Sequence, residues 1–191
     1  MKVVVMFPTA LEAESFDREV CDVVVCGVGG AECGATTARV ISEYHPDVVI
    51  LAGVAGTYTD NLQFGDTVAV ASECVADMGR VERWSEIDGE RFTPLFQKQY
   101  HATDIPEGFV VVDSNTVNGC GAPYVATEGV SVENMEGASF FAVTQAMGVR
   151  SMQLRTISNV VGQRFDVADV RRCAEILACN LTNVVVKLQN V

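Results

Sequence analysis

The chain has 191 residues, 49% hydrophobic and 20% charged, the length and balance of one globular domain with a sizeable core. Its formal charge of −12 excludes extended polyanions such as nucleic acid, whose affinity comes largely from Lys and Arg neutralising phosphates. The 13 basic residues are scattered, with Arg171-Arg172 the one adjacent pair, and no segment approaches the roughly 20 apolar residues of a membrane helix.

In chain order, short apolar runs alternate with helical patterns, which predicts an α/β domain with a largely buried sheet. The apolar run Val3–Phe7 is stopped by Pro8 and reads as a buried strand, not a secretory leader, so a cytoplasmic protein is expected. Residues 9–18 read as a helix and 22–27 as a second strand. A helix over 31–44 leads to a strand over 47–52, and further strands are expected over 67–72, 109–113, 130–133 and 151–158. Helices are expected over 135–147 and 167–188. The last carries Val170, Cys173, Ala174, Leu177, Leu181, Val184, Val185 and Leu188 at helical spacing, with Asp166 or Asp169 available as its cap. Residues 79–108 interrupt the pattern with Arg80, Glu82, Arg83, Trp84, Glu86, Asp88, Glu90 and Arg91, a polar excursion of a length that is usually functional or mobile. The seven cysteines form no C-x-x-C pair, and His45 and His101 lie far from any cysteine cluster. Free thiols in a reducing cytosol are expected, with no metal site and no organic cofactor.

Four segments fall at strand ends, where open α/β sheets place ligands. In Pro8-Thr9-Ala10-Leu11-Glu12-Ala13-Glu14, either carboxylate could activate a water, or both could be surface acids at a helix start. Gly27-Val28-Gly29-Gly30 superficially matches a dinucleotide fingerprint, but Glu32 stands where the third glycine would be, which disfavours NAD. The turn reads better as one that brings backbone amides close to a ligand, and Gly53-Val54-Ala55-Gly56 repeats the theme. In Val132-Glu133-Asn134-Met135-Glu136-Gly137-Ala138, a Glu in the first helical turn is oriented by free amides. It could accept hydrogen bonds from the vicinal hydroxyls of a ribose, or simply cap the helix. Arg155-Thr156-Ile157-Ser158-Asn159 ends an apolar strand with an amide that faces the crevice or merely makes a turn.

In this order the four segments resemble the nucleoside phosphorylase/nucleosidase superfamily, along nearly the whole chain. Met135-Glu136-Gly137-Ala138 with Arg155-Thr156-Ile157-Ser158-Asn159 is the most specific part. Within the superfamily, Pro8-Thr9-Ala10-Leu11-Glu12, Asn115-Thr116-Val117-Asn118-Gly119 and Ile157-Ser158-Asn159-Val160-Val161-Gly162 look most like the futalosine hydrolases, which release hypoxanthine from futalosine on a route to menaquinone. The resemblance implies a single-domain three-layer α/β/α fold with a central mixed sheet, a purine nucleoside as the small-molecule partner, and a homodimer or higher homo-oligomer. It implies that Glu136 binds the ribose hydroxyls with Met135 under the sugar, and that Glu12 or Glu14 activates water. Asn159 would face the base and Arg155 would orient the loop carrying it. Glu133, Ala55, Gly56 and Ser158 would complete the substrate site. An Asn amide can donate to O6 and N7 of a 6-oxopurine, so the leaving group is expected to be of the hypoxanthine type. The alternatives are a methylthioadenosine/adenosylhomocysteine nucleosidase, a purine nucleoside phosphorylase, or a nucleoside-binding protein without turnover.

Overall fold

The computed structural model describes residues 1–77, 99–121, 125–163 and 166–190. Within them the strands are β1 (Val3–Phe7), β2 (Asp22–Val25), β3 (Val48–Thr57), β4 (Thr67–Val75), β5 (Gln99–His101), β6 (Val110–Thr116), β7 (Val132–Asn134) and β8 (Arg150–Val160). The helices are α1 (Gly30–Tyr44), α2 (Gly137–Met147) and α3 (Val167–Gln189). Most of the predicted excursion, residues 79–98, lies outside the described residues, and β5 with the segment up to Gly108 is the part that can be placed.

The sheet is mixed. Parallel pairs join β2 to β1, β1 to β3 and β3 to β8, while β4 pairs antiparallel with β8. β4 also runs parallel to β6, β6 parallel to β7, and β7 antiparallel to the end of β3. The pairings β3–β7–β6–β4–β8–β3 therefore close a ring, and the long strands β3 and β8 form its spine.

Strand alternation divides the core into two faces. Val4 and Met6 of β1, with Val49 and Leu51 of β3, meet Cys33, Val40 and Ile41 of α1 and Phe140 and Phe141 of α2. Val3, Val5 and Phe7, with Val48 and Ile50, meet Leu177, Leu181, Val184 and Val185 of α3. Helices thus cover both faces, the three-layer arrangement expected of the sequence. Burying one such Leu or Val is worth about 1.5–3 kcal/mol. That gain carries the β-branched end of α3 through Gln189 despite its modest helix propensity.

Three segments differ from expectation: β5 lies inside the expected polar excursion, β3 runs on through Gly53-Val54-Ala55-Gly56 where a turn was expected, and residues 9–18 are not helical. Residues 9–18 form successive turns instead of a helix, closed by Ala13 N to Thr9 O, Glu14 N to Leu11 O and Phe16 N to Ala13 O, each at 3.3 Å. The Thr9 hydroxyl engages the Glu12 amide and carboxylate, a local alternative to the helical ladder. Ala13 and Phe16 bury against the α3 face while Glu12 turns inward to β3.

Candidate active site

A cavity of about 810 Å³ opens over the ends of β1, β3, β7 and β8. Of the predicted site residues it brings together Glu12, Ala55, Gly56, Glu133, Met135, Glu136, Arg155, Ser158 and Asn159. Glu14 is not with them: its exposed carboxylate pairs with Arg171 at 3.3 Å. Of the two acids only Glu12 points inward.

Glu12 is held by two residues through three hydrogen bonds. Thr9 Oγ1 donates to Oε2 at 2.6 Å, and the Val54 amide donates to Oε1 at 2.9 Å. The Glu12 amide in turn donates to Thr9 Oγ1 at 3.2 Å. Burial lifts the Glu12 carboxyl above the ordinary carboxylate range. The Thr9 hydroxyl, the Val54 amide and the Arg155 charge offset part of that lift, and the nearby Glu136 charge adds to it. Gly53 is required beside it, because a Cβ there would stand 2.8 Å from Glu12 Oε1 and 2.7 Å from Arg155 Nη1.

Glu136 is almost fully buried, at 3% exposure, and immediately precedes α2. The expected anchoring by free amides of its own helix is replaced by two longer reaches. The Gly29 amide, 107 residues away in sequence, donates to Oε1 at 3.0 Å, and Arg155 Nη2 pairs with Oε2 at 3.1 Å. The helix amides are already occupied: Asn134 Oδ1 accepts from Glu136 N at 2.9 Å and Gly137 N at 2.8 Å, and Thr116 Oγ1 accepts from Ala138 N at 2.7 Å. Each Glu136 oxygen keeps a lone pair for a further donor.

Arg155 was expected to orient the loop of Asn159. It reaches instead to Glu136, to Asn134 Oδ1 at 3.0 Å and to Val54 O at 3.2 Å, with 1% of its surface exposed. Arg155 lies beneath the cavity, four residues before Asn159, with the Ser158 bulge between them. It is the sole buried cation among the described residues, against the buried carboxylates Glu12, Glu73, Glu133 and Glu136.

Asn159 owes its orientation to a β-bulge. The β3–β8 register shifts between Ala55 and Gly56, so that Ala55 faces Ile157 and Gly56 faces Asn159, with Ser158 as the extra residue. Ser158 Oγ donates to Asn159 Oδ1 at 2.9 Å, and Asn159 Nδ2 donates to Val160 O at 3.1 Å. One Nδ2 hydrogen is left over on the cavity wall. Met135 lies half-buried beside Glu136, with the Cys120 thiol 3.9 Å from its sulfur. Glu133 is a clamp as much as a lining residue, accepting from the Tyr58 hydroxyl at 2.6 Å and from the Gly121 amide at 3.0 Å. Burial and this acceptor push the Tyr58 hydroxyl well above its ordinary range.

Sequence reasoning left Thr9, Asn134, Cys120 and Glu73 without roles. Thr9 and Asn134 sat inside recognised motifs, and Glu73 lay one residue beyond the strand expected over 67–72, which the fold extends to Val75.

A sequence model of the phosphorylase superfamily matches residues 16–106 and 107–190. The chain belongs to that superfamily. Its members similar to this chain include the futalosine hydrolase of Streptomyces coelicolor, 30% identical over 186 aligned positions that cover 87% of this chain and 77% of that one. The futalosine hydrolase of Thermus thermophilus is 27% identical over 155 positions, covering 72% and 68%. Among solved structures, the 5'-methylthioadenosine/S-adenosylhomocysteine nucleosidase of Helicobacter pylori with butyl-thio-DADMe-Immucillin-A superposes with a TM-score of 0.82. It is 16% identical over 98% of each chain, a likeness of fold alone. For this superfamily member, the fold leaves the leaving base open, and the site residues carry that question.

Proposed function

We propose that this chain is a nucleosidase that hydrolyses the N-glycosidic bond of a purine nucleoside, with futalosine as substrate and hypoxanthine as the released base. The carrying observation is that one cavity gathers a buried, anchored carboxylate (Glu12), a second carboxylate with free lone pairs (Glu136) and a hydrogen-bond-oriented amide (Asn159). Names and identities of the relatives support the same reading.

Glu136 would accept from the ribose 2′- and 3′-hydroxyls while Met135 packs under the sugar. Asn159 would donate from Nδ2 to the base, stabilising the negative charge that builds as the bond to C1′ breaks. Glu12, made more basic by burial, would take a proton from the water that attacks C1′ of the oxocarbenium-like sugar, and the departing purine anion would take up one proton from solvent to leave as neutral hypoxanthine. Thr9 and Val54 would keep that carboxylate on one face of the sugar. Water is favoured over phosphate because the Gly27–Gly30 turn and the Gly53–Gly56 stretch of β3 spend amides on carboxylates, Gly29 on Glu136 and Val54 on Glu12.

A cytoplasmic setting and a role in menaquinone formation belong to the same reading, and the unpaired cysteines support a reducing compartment. So does assembly as a homodimer, which light scattering coupled to size exclusion measures directly. The deciding experiment is release of free base from futalosine, inosine and methylthioadenosine, each with and without phosphate. Hypoxanthine from futalosine in phosphate-free buffer is expected. Adenine from methylthioadenosine alone, or a strict need for phosphate, would sink the proposal.

A further inference from the structure

Glu73 lies in β4 with no exposed surface, behind the cavity and outside its lining. Its carboxylate accepts from Asn134 Nδ2 at 2.5 Å and Gln153 Nε2 at 2.8 Å on one oxygen, and from Thr116 Oγ1 at 2.8 Å on the other. A carboxylate offers acceptors only, so it dictates which end of the Asn134 amide turns toward it. With Nδ2 committed to Glu73 and to Ser114 Oγ at 2.9 Å, Oδ1 is left to receive Glu136 N, Gly137 N and Arg155 Nη2. The opposite amide orientation would set an NH2 group against three donors. Through its second oxygen Glu73 also holds Thr116, which takes the Ala138 amide. One buried side chain thus organises three consecutive amides at the start of α2. Gly137 fits the arrangement, because a Cβ there would overlap Glu73 Oε1.

We propose that Glu73 is a positioning residue for the ribose-binding carboxylate: through the Asn134 amide it fixes the Glu136 backbone and the Arg155 guanidinium, and through them the Glu136 carboxylate. The proposal rests on the ribose role given to Glu136 above. Glu73 makes no contact with the cavity and acts only through Asn134 and Thr116. Burial raises its carboxyl, and Arg155 and the three donors offset part of that rise; the three donors around its two oxygens are what mark it as an acceptor.

The test is a polarity swap. Glu73→Gln, Asn134→Asp and the double variant Glu73→Gln/Asn134→Asp are compared by melting temperature and by kcat/KM on futalosine and its 2′-deoxy analogue. Asn134→Asp sets two carboxylates face to face and should lower the melting temperature most. The double variant restores a donor against an acceptor, with Oδ1 still serving the α2 amides and Arg155, and should recover much of that loss. Glu73→Gln should lower kcat/KM on futalosine about tenfold, the scale of one misplaced charged hydrogen bond, and the 2′-deoxy analogue far less. Additive melting losses in the double variant would overturn the Glu73–Asn134 link. Equal losses on both substrates would reduce Glu73 to a structural residue. A wild-type protein that releases no base would sink the nucleosidase reading and the ribose role with it, while the melting series would still decide the pairing.

Discussion

Glu12→Gln should make the protein more stable and nearly inactive at once. Glu12 is 5% exposed, and burial is the dominant influence on its carboxyl, lifting it above the ordinary range. An acid whose folded-state pKa is raised binds its proton more tightly folded than unfolded. Its contribution to stability is therefore full below the unfolded pKa and is lost as pH rises through the folded pKa. At neutral and alkaline pH the ionised carboxylate is a net cost to the fold, and a neutral isostere removes it. Both hydrogen bonds survive the change: the amide oxygen accepts from Val54, and the NH2 group meets Thr9 Oγ1, whose own hydrogen is free to rotate. Each unit of upward displacement is worth about 1.4 kcal/mol. One kcal/mol moves the melting temperature of a domain this size by about 2–4 °C, so the gain is about 3–5 °C per unit. Thermal unfolding of both proteins from about pH 4 to pH 9 should give curves that meet at the acid end and separate as pH rises through the raised carboxyl pKa. Turnover should fall by about 10²–10⁴-fold, the range for loss of a general base. A variant that is less stable than wild type at alkaline pH, or a difference independent of pH, would refute the reasoning.

Asn159→Asp replaces a donor on the cavity wall with an acceptor and should shift the ratio of 6-amino to 6-oxo base release upward by at least about tenfold, measured by competing adenine and hypoxanthine nucleosides. An unchanged ratio would remove Asn159 from base recognition. Arg155→Met leaves Glu136 without its cation in a dry site and should cost about 3–5 kcal/mol, read from urea unfolding. A loss under about 1 kcal/mol would mean that the pair is solvated or dispensable. Gly137→Ala forces a methyl group onto Glu73 and within 2.8 Å of Gln153 Oε1, and should destabilise by about 1–3 kcal/mol. In a double-mutant cycle with Glu73→Ala the two losses should be less than additive, and additivity would place the strain elsewhere.

Elements with a strong period were legible from the residues. β1 matches its predicted bounds because five apolar residues end at a proline, and α3 because its apolar spacing spans the whole helix. The turns at residues 9–18 were not legible, because local propensity cannot know that Val54, 42 residues on, will take one Glu12 oxygen while Thr9 takes the other. The three-residue β5 has no pattern of its own and exists through its pairing with β4. Within the site, the four motifs named nearly every side chain that lines the cavity, since each sits at a strand end that the topology brings together. Their partners stayed hidden. Gly29 and Glu136 are 107 residues apart, and Arg155 reaches Asn134 across 21. A linear pattern shows which groups are present, not which pairs the fold will close.

That distinction decides how the glycine turns are understood. From sequence, Gly27-Val28-Gly29-Gly30 and Gly53-Val54-Ala55-Gly56 offer backbone amides, and amides at a strand-to-helix turn are what an anion seeks. In the fold, the Gly29 and Val54 amides donate to Glu136 and Glu12, and the buried cation of the site is already paired with Glu136. A phosphate entering here would meet the carboxyl groups of Glu136 and Glu12 where the sequence had offered amides. Two like charges 4 Å apart cost about 4 kcal/mol at an effective dielectric of 20, and the dianion roughly doubles that. A neutral water pays none of it and gains an acceptor for its proton. The acidity that disfavours polyanions on the whole surface therefore works again inside the cavity, where the Gly27–Gly30 turn and the Gly53–Gly56 stretch of β3 hold carboxylates in place of an anion.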